Sequence, residues 1–423
     1  MARTLRRLGA VERMKHPPQA GRWFLEIVLE YETTVLQLLD ALRTATAPGL
    51  RTLHDDLSEH TATPGFTEPG ERARRLRDRL GQIHYDLMLR GDKITIAGHD
   101  PADRFDFAER ILTAFDRFRP DPPPDRPDEP PTDMGLDTLE AAVLDLVVEL
   151  TPHVFDDLAA FRAAAHDLID DQILQIDREL RFYLGYLRFL APLREAGLPF
   201  CRPEVTTTDK GLLAREVFDL ALAATLTPAG GRVVGNDIDL RDGERILLVS
   251  GPNQGGKTTL SRTFGQLHHL AALGCPVPGR QARIFLPDRI LTHYPRTENL
   301  ATLTGELEDE LLRLRRILDQ ATPDSVIVLN EIFSSTTCED ALALSTAVLT
   351  RLSRLDTQCL WVSFLDELSR LDPKTVSMVS TVTGDGTRTY KLVRRPADGH
   401  AHALAIAEKH RLTYTQLTTR VGR

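Results

Sequence analysis

Nine consecutive residues, Gly251-Pro252-Asn253-Gln254-Gly255-Gly256-Lys257-Thr258-Thr259, combine the groups that a polyphosphate needs. Glycines allow successive backbone N–H groups to turn toward one anion. The Lys257 ammonium reaches the outer phosphates, and the Thr258 hydroxyl suits a Mg²⁺ that bridges them. A second group lies further along: Ser325-Val326-Ile327-Val328-Leu329 is an apolar run that ends in Asn330 and Glu331. A carboxylate at such a strand tip sits beside a phosphate held at the same sheet edge, where it orients or deprotonates an attacking water. Glu331 is therefore the candidate general base. Asn330 takes the place of a metal-facing residue, and an amide oxygen is a weaker, neutral ligand than a carboxylate. Slow hydrolysis is the expectation.

These groups need elements to hold them. Arg245-Ile246-Leu247-Leu248-Val249-Ser250 follows Asp242-Gly243 and reads as a buried parallel strand, and Thr258 to Leu273 reads as the helix after it. Beyond Pro203, short β-like runs at 232–234, 246–249, 325–329 and 359–363 alternate with helical stretches. That alternation predicts an α/β domain with a mostly parallel sheet covered by helices.

The earlier part of the chain reads as helix. Phe24, Ile27, Val28, Tyr31, Val35, Leu38, Leu39 and Leu42 follow three-four spacing, as do Leu76, Leu80, Ile83 and Leu87. Lys93–Ile96 reads as a short strand, and 103–118 as helix again. Arg72, Arg74, Arg75, Arg77 and Arg79 either face phosphates or form a solvated face paired with acids such as Glu71 and Asp78. Prolines at 120, 122, 123, 124, 127, 130 and 131 exclude helix and central strand there. A second helical block follows, ending in a long helix near 168–193 whose stripe of Ile173, Ile176, Leu180, Tyr183, Leu187 and Leu190 reads as core. The predicted division is a helical region 1–118, a Pro-rich linker or loop 119–133, a helical region 134–200 and a nucleotide-binding domain 201–423.

Composition sets further bounds. The 423 residues are 42% hydrophobic and 27% charged, ordinary for a globular chain of two to four domains. Four widely spaced cysteines with no CxxC pair indicate neither a disulfide framework nor a zinc site. No apolar run approaches a membrane span and no secretory signal is evident, so the expected location is the cytoplasm, away from membranes. A net charge of −9 advertises no global nucleic-acid field, so any DNA contact must come from a local patch.

The cradle and its flanks resemble the MutS family of DNA mismatch repair ATPases. Pro-Asn after the first glycine and the double glycine are typical of that family's P-loop. Asn236-Asp237, Gly274-Cys275-Pro276-Val277-Pro278, Asp288-Arg289-Ile290, Asn330-Glu331-Ile332 with Ser335-Thr336-Thr337 and Asp340, Arg202-Pro203-Glu204 and 403–407 also resemble its motifs. The likeness covers roughly residues 200–415. It implies an ABC-like P-loop NTPase domain preceded by a mainly α-helical region that resembles the family's core and lever helices. It implies a DNA-dependent ATPase that binds ATP and Mg²⁺ and forms a homodimer through the ATPase domain. Mismatched or otherwise structured DNA would be its ligand, in mismatch repair or related DNA metabolism. By position, Gly251, Pro252, Asn253, Gln254, Gly255, Gly256, Lys257, Thr258 and Thr259 would hold the phosphates, Thr258 and Asn330 the metal. Val233 and Val234 would lie beside adenine, and Glu331 would act on water.

Several positions depart from the family. Asn330 stands for its aspartate, Phe364 for its switch histidine and Val233 for an aromatic on adenine, while 299–302 shortens the loop that reaches the partner's nucleotide. The stretch before the ATPase region is too short for the family's mismatch-reading domain. Phe24-Leu25-Glu26 and Phe107-Ala108-Glu109 match its Phe-x-Glu wedge in letters only, since both phenylalanines lie on core-facing helix stripes. The alternative reading is a nucleotide-gated, slowly hydrolysing interaction protein that acts on a protein partner rather than DNA.

Overall fold

The computed structural model describes residues 2–90, 93–99, 136–164, 169–295, 305–383, 387–397 and 412–421. The expectations for 103–118, the Pro-rich 119–133, Phe107, the loop 299–302 and the helix at 403–407 lie outside them. The chain divides into two compact units, Met1–Arg181 and Phe182–Arg423. No helix among the described residues is long and apolar enough to cross a membrane.

The first unit is built on α2 (Pro17–Leu42), flanked by α1 (Ala2–Glu12), α3 (Pro48–Thr61) and α4 (Pro64–Gly81). Its three-four stripe is the core side: Phe24, Leu25, Ile27 and Val28 pack with Val11, Leu76, Leu158 and Phe161. Phe24 meets the Phe161 ring at 6.0 Å, so it is a core residue rather than a wedge. The helical reading through Leu87 is corrected. α4 stops at Gly81, and Leu87 lies in β1 (Tyr85–Arg90), opposite Ile96 of β2 (Lys93–Gly98). The alternating Ile94 and Ile96 supply an antiparallel partner that outweighs the helical spacing. α5 (Thr138–Leu150) starts at a capping box in which Glu140 N donates to Asp137 Oδ1 at 2.7 Å and Asp137 N to Glu140 Oε2 at 3.0 Å. α6 (Pro152–Ala164) and α7 (Asp171–Glu195) follow.

The arginine cluster on α4 is largely neutralised within the unit. Arg74 is bidentate on Glu32 at 2.6 and 3.2 Å, Arg79 meets Asp157 at 2.6 Å, Arg75 faces Glu71 at 3.8 Å, and Arg72 lies 5.3 Å over the Phe161 ring. The solvated, acid-paired reading accounts for Arg74, Arg75 and Arg79.

In the second unit, β3 (Phe200–Cys201), β4 (Glu204–Thr206), β5 (Leu212–Val217), α8 (Leu220–Leu226) and β6 (Asn236–Leu240) precede the strand that leads to the cradle, β7 (Ile246–Ser250). After it come α9 (Lys257–Ala272), β8 (Val277–Pro278), β9 (Gln281–Phe285), β10 (Ile290–His293), α10 (Glu306–Gln320), β11 (Val326–Asn330), α11 (Cys338–Leu355), β12 (Gln358–Val362), β13 (Thr375–Val382), β14 (Arg388–Arg394) and α12 (Tyr414–Val421). Six strands pair in the order β10-β11-β12-β7-β13-β14, parallel except for the β13–β14 hairpin.

Side-chain alternation explains why both faces of this sheet are covered. Leu247, Val249, Val326, Val328, Leu360 and Val362 pack with Phe264 and Leu267 of α9. Ile246, Leu248, Ile327, Leu329, Cys359 and Trp361 pack with Leu349 and Leu352 of α11. Continuous apolar strands are the mark of a sheet sandwiched between helices. A four-stranded sheet, β4-β9-β5-β6, stands beside it.

Two further expectations are corrected here. Residues 232–234 form no strand; the strand begins at Asn236, because Gly230 turns left-handed (φ 68°) and Gly235 follows directly. On α7, Tyr183 and Leu187 are exposed, as are Phe182 and Phe189, because this helix buries the neighbouring stripe of Tyr186, Leu190 and Leu193.

Candidate functional site

The parallel register places three strand ends side by side. Asn330 pairs with Val362, and Val362 with Val249, so the cradle after β7, Phe364 after β12 and Glu331 after β11 leave the same sheet edge. Carboxyl ends of parallel strands are where α/β sheets present ligand-binding groups.

At that edge the chain turns into α9 through Gly256, which is left-handed (φ 93°) and forms the N-cap without a side-chain hydrogen bond. The first N–H groups of the helix are thus left to a ligand, at the positive end of its dipole. Glycine is required elsewhere by close approach. A Cβ at Gly255 would lie 2.2 Å from Ser380 Oγ and 2.9 Å from Pro252 O, and Gly251 (φ 118°) sits against Ser380 as well. Ser380 of β13 pins the turn by donating to Gly255 O at 2.8 Å.

Lys257 is buried and its Nζ donates to Gly251 O at 2.8 Å, Pro252 O at 3.1 Å and Asn253 Oδ1 at 3.3 Å. It also lies 4.9 Å from the centre of the Phe364 ring, which is 53% exposed. Burial foremost pushes the ammonium below the usual lysine range. Glu331 opposes that shift and the charge of Arg388 adds to it.

Glu331 leaves β11 in a strained turn. Glu331 (φ 50°) and Phe333 (φ 61°) are both left-handed, although neither is glycine. Two contacts hold them there: Glu331 N donates to Val362 O at 2.9 Å, and Phe333 is buried in the core under the sheet. Strain of this kind persists only where the surroundings impose it.

The cradle and Glu331 face one cavity of about 700 Å³. Asn253, Gln254, Gly256, Lys257, Thr258, Thr259, Val233, Val234 and Glu331 all line it. The predicted site residues Gly251, Pro252 and Gly255 do not line it, and lie in the turn that carries those that do. Asn330 is buried at the strand end next to Glu331, and its Oδ1 has no hydrogen-bond partner. The other lining residues are Phe218, Asp219, Leu222, Leu226 and Arg232, with Asn236 and Tyr390. Sequence reading missed Phe218, Asp219 and Tyr390. Their signal is weak, because no spacing links them to the cradle.

Those missed residues are firmly placed. Asn236 holds β14 with its amide, accepting from Leu392 N at 2.8 Å and donating to Tyr390 O at 3.1 Å, and so sets Tyr390 on the rim. Asp219 caps α8 by accepting from Leu222 N at 3.0 Å, and ties it to α9 by accepting from Arg262 Nε at 2.6 Å and Gln266 Nε2 at 3.1 Å.

Three features of this cavity fit a nucleoside triphosphate with a divalent cation. The start of α9 carries no side-chain cap, the hydrogen bonds of the Lys257 ammonium among the described residues all go to neutral oxygens, and next to Glu331 the buried amide oxygen of Asn330, itself outside the lining, lacks a donor. Phe218, Leu222, Leu226 and Tyr390 in the lining offer apolar surface that suits a planar base.

Residues 247–409 match the protein family described as MutS domain V. The DNA mismatch repair protein MutS of Granulibacter bethesdensis is 34% identical over 189 residues, which cover 44% of this chain and 20% of that protein. The protein of the same name from Desulfovibrio desulfuricans is 32% identical over 229 residues, 52% of this chain and 24% of that protein. That from Oleidesulfovibrio alaskensis is 38% identical over 143 residues, 34% and 16% of the two chains. The matches thus span about a quarter or less of these relatives' length.

Proposed function

We propose, from the match to MutS domain V and the likeness to MutS proteins, that the chain is a MutS-like ATPase that binds ATP with Mg²⁺, dimerises through its nucleotide-binding region and couples nucleotide state to gripping mismatched or structured DNA in the cytoplasm. Residues 201–423 are read as a P-loop, ABC-like ATPase domain, 1–118 as a helical region interrupted by the β1–β2 hairpin, 134–200 as a helical region and 119–133 as a linker or loop. The observation that carries the reading is the meeting of the cradle, Lys257 and Glu331 in one cavity at the end of a parallel sheet.

Each residue then has a task. Backbone N–H groups from Gly256 to Thr259 hold phosphate oxygens, and Lys257 exchanges its carbonyl partners for the outer phosphates. The Thr258 hydroxyl and the Asn330 amide oxygen are the groups that would hold Mg²⁺, which would supply charge neutralisation on the phosphates. Glu331 accepts a proton from water at its carboxylate, fixed by the strained turn that presents it. Val233, Val234 and Tyr390 exclude water around the base. A neutral Asn330 draws the metal less strongly than aspartate, and the Phe364 ring offers no proton-transfer group beside Lys257, so turnover is slow.

Asn330 and Phe364 also favour a second reading, a nucleotide-gated protein that scarcely hydrolyses ATP and signals to a protein partner. One experiment separates the two: affinity for mismatched, branched and plain duplexes, with and without ATP, across a salt series. Phosphate contacts give a negative slope of log affinity against log salt. A slope with ATP-dependent binding fits the DNA reading; absence of binding at low salt rejects it in favour of the second.

A further inference from the structure

We propose that Arg388 is a second phosphate cation of this site, supplied from the chain's own β14, and that it engages the terminal phosphate of a nucleoside triphosphate. The proposal rests on the nucleotide reading above and adds to it a residue outside the cradle motif.

The placement is specific. Arg388 Nε donates to Asn253 O at 2.7 Å, while Lys257 Nζ donates to Asn253 Oδ1 at 3.3 Å. Two cations therefore bracket a single residue at the lip of the cradle. β14 is close along this side, since Tyr390 O would lie 3.7 Å from a Cβ at Gly256. Among the described residues, Arg388 has no carboxylate partner. Arg394 of the same strand shows the contrast, being saturated by Glu244 and Asp239.

Like charges on one residue repel, and among the described residues neither cation is in an ion pair, although the Glu331 charge acts on Lys257 from nearby. An anion between them removes that cost. Arg388 spends one N–H on Asn253, which leaves the four N–H groups of its Nη atoms. Their planar fork matches phosphate oxygens in a bidentate manner that a lysine ammonium cannot reproduce. The Lys257 side chain belongs to the outer phosphates in such a cradle, so the cation sharing Asn253 with it faces the same end.

The test compares MgATP and MgADP affinities by calorimetric titration for wild type, Arg388→Gln, Arg388→Lys and Lys257→Ala, with a thermal melt of each variant. Arg388→Gln is expected to lose about tenfold or more in MgATP affinity, the scale of a charge-assisted hydrogen bond, with MgADP affinity changed less than about threefold. Arg388→Lys keeps the charge without the fork and should fall between wild type and Arg388→Gln for MgATP; it also serves if the glutamine variant melts early. Unchanged MgATP affinity in both Arg388 variants overturns the proposal, and so does an equal loss for MgATP and MgADP. If the wild type binds neither nucleotide, or Lys257→Ala binds both normally, the underlying nucleotide reading fails instead.

Discussion

Gly255→Ala tests how tightly the cradle is built. The new methyl group would lie 2.2 Å from Ser380 Oγ, 3.0 Å from Ser380 Cβ and 2.9 Å from Pro252 O. Ser380 is 1% exposed and paired with Leu392, so its Cβ has little room to shift, and Pro252 O already accepts from Gly255 N across the turn at 3.2 Å. The turn itself must open. Overpacking of this kind costs about 1–3 kcal/mol of folding stability. Under the proposed reading, in which N–H groups of this turn and of the α9 start are the ligand's donors, nucleotide affinity should suffer more than stability. Ser380→Gly removes two of the three close contacts, so the double variant should recover part of the loss, with a coupling of about 0.5–3 kcal/mol. Urea unfolding and MgATP titration of the four proteins measure both effects. If the two substitutions are additive within about 0.5 kcal/mol, Ser380 is not what confines the cradle.

Further outcomes are expected elsewhere. Burial holds the His268 imidazole below its ordinary value, with opposing hydrogen bonds to Phe264 O and Gln358. The unfolded chain therefore takes up the extra proton first: stability is full above about pH 6.5 and falls as pH drops, by up to about 1.4 kcal/mol per pH unit. Urea unfolding from pH 8 to 5 should show a shallower slope in His268→Gln, and equal slopes would remove the argument. Asp219→Asn keeps the cap but discharges the buried partner of Arg262, and should cost about 1–3 kcal/mol; a change under about 0.5 kcal/mol would show the tie between α8 and α9 to be idle. Asn330→Asp should raise Mg²⁺-dependent ATP turnover, since it restores a charged ligand at the strand end; a steady-state phosphate assay that finds no increase would detach Asn330 from the metal.

The cradle and Glu331 were legible because both depend on local order: a buried strand, a glycine turn and a helix in immediate succession, then a second apolar strand with a polar tip. The strands at 246–250, 326–330 and 358–362 each lie within a residue of the positions read from apolar runs. Residues 232–234 were misread because two valines resemble a strand in isolation, whereas the flanking glycines decide the backbone there. Leu87 was misread because a helical spacing of leucines is also compatible with a hairpin, and only the partner strand distinguishes them. Phe218, Asp219, Tyr390 and Arg388 could not be found from spacing. They reach the site through β5–α8 and β14, and sheet order, not sequence distance, makes them neighbours of the cradle.

The central claim is that a triphosphate sits at the head of α9 with its charge met by Lys257. Equilibrium binding of labelled ATP in the presence and absence of Mg²⁺, for wild type and Lys257→Ala of matched thermal stability, examines it most directly. The account requires Mg²⁺-dependent affinity in the wild type that drops by at least about tenfold in Lys257→Ala. Equal affinity in the two proteins, or none in either, would contradict it.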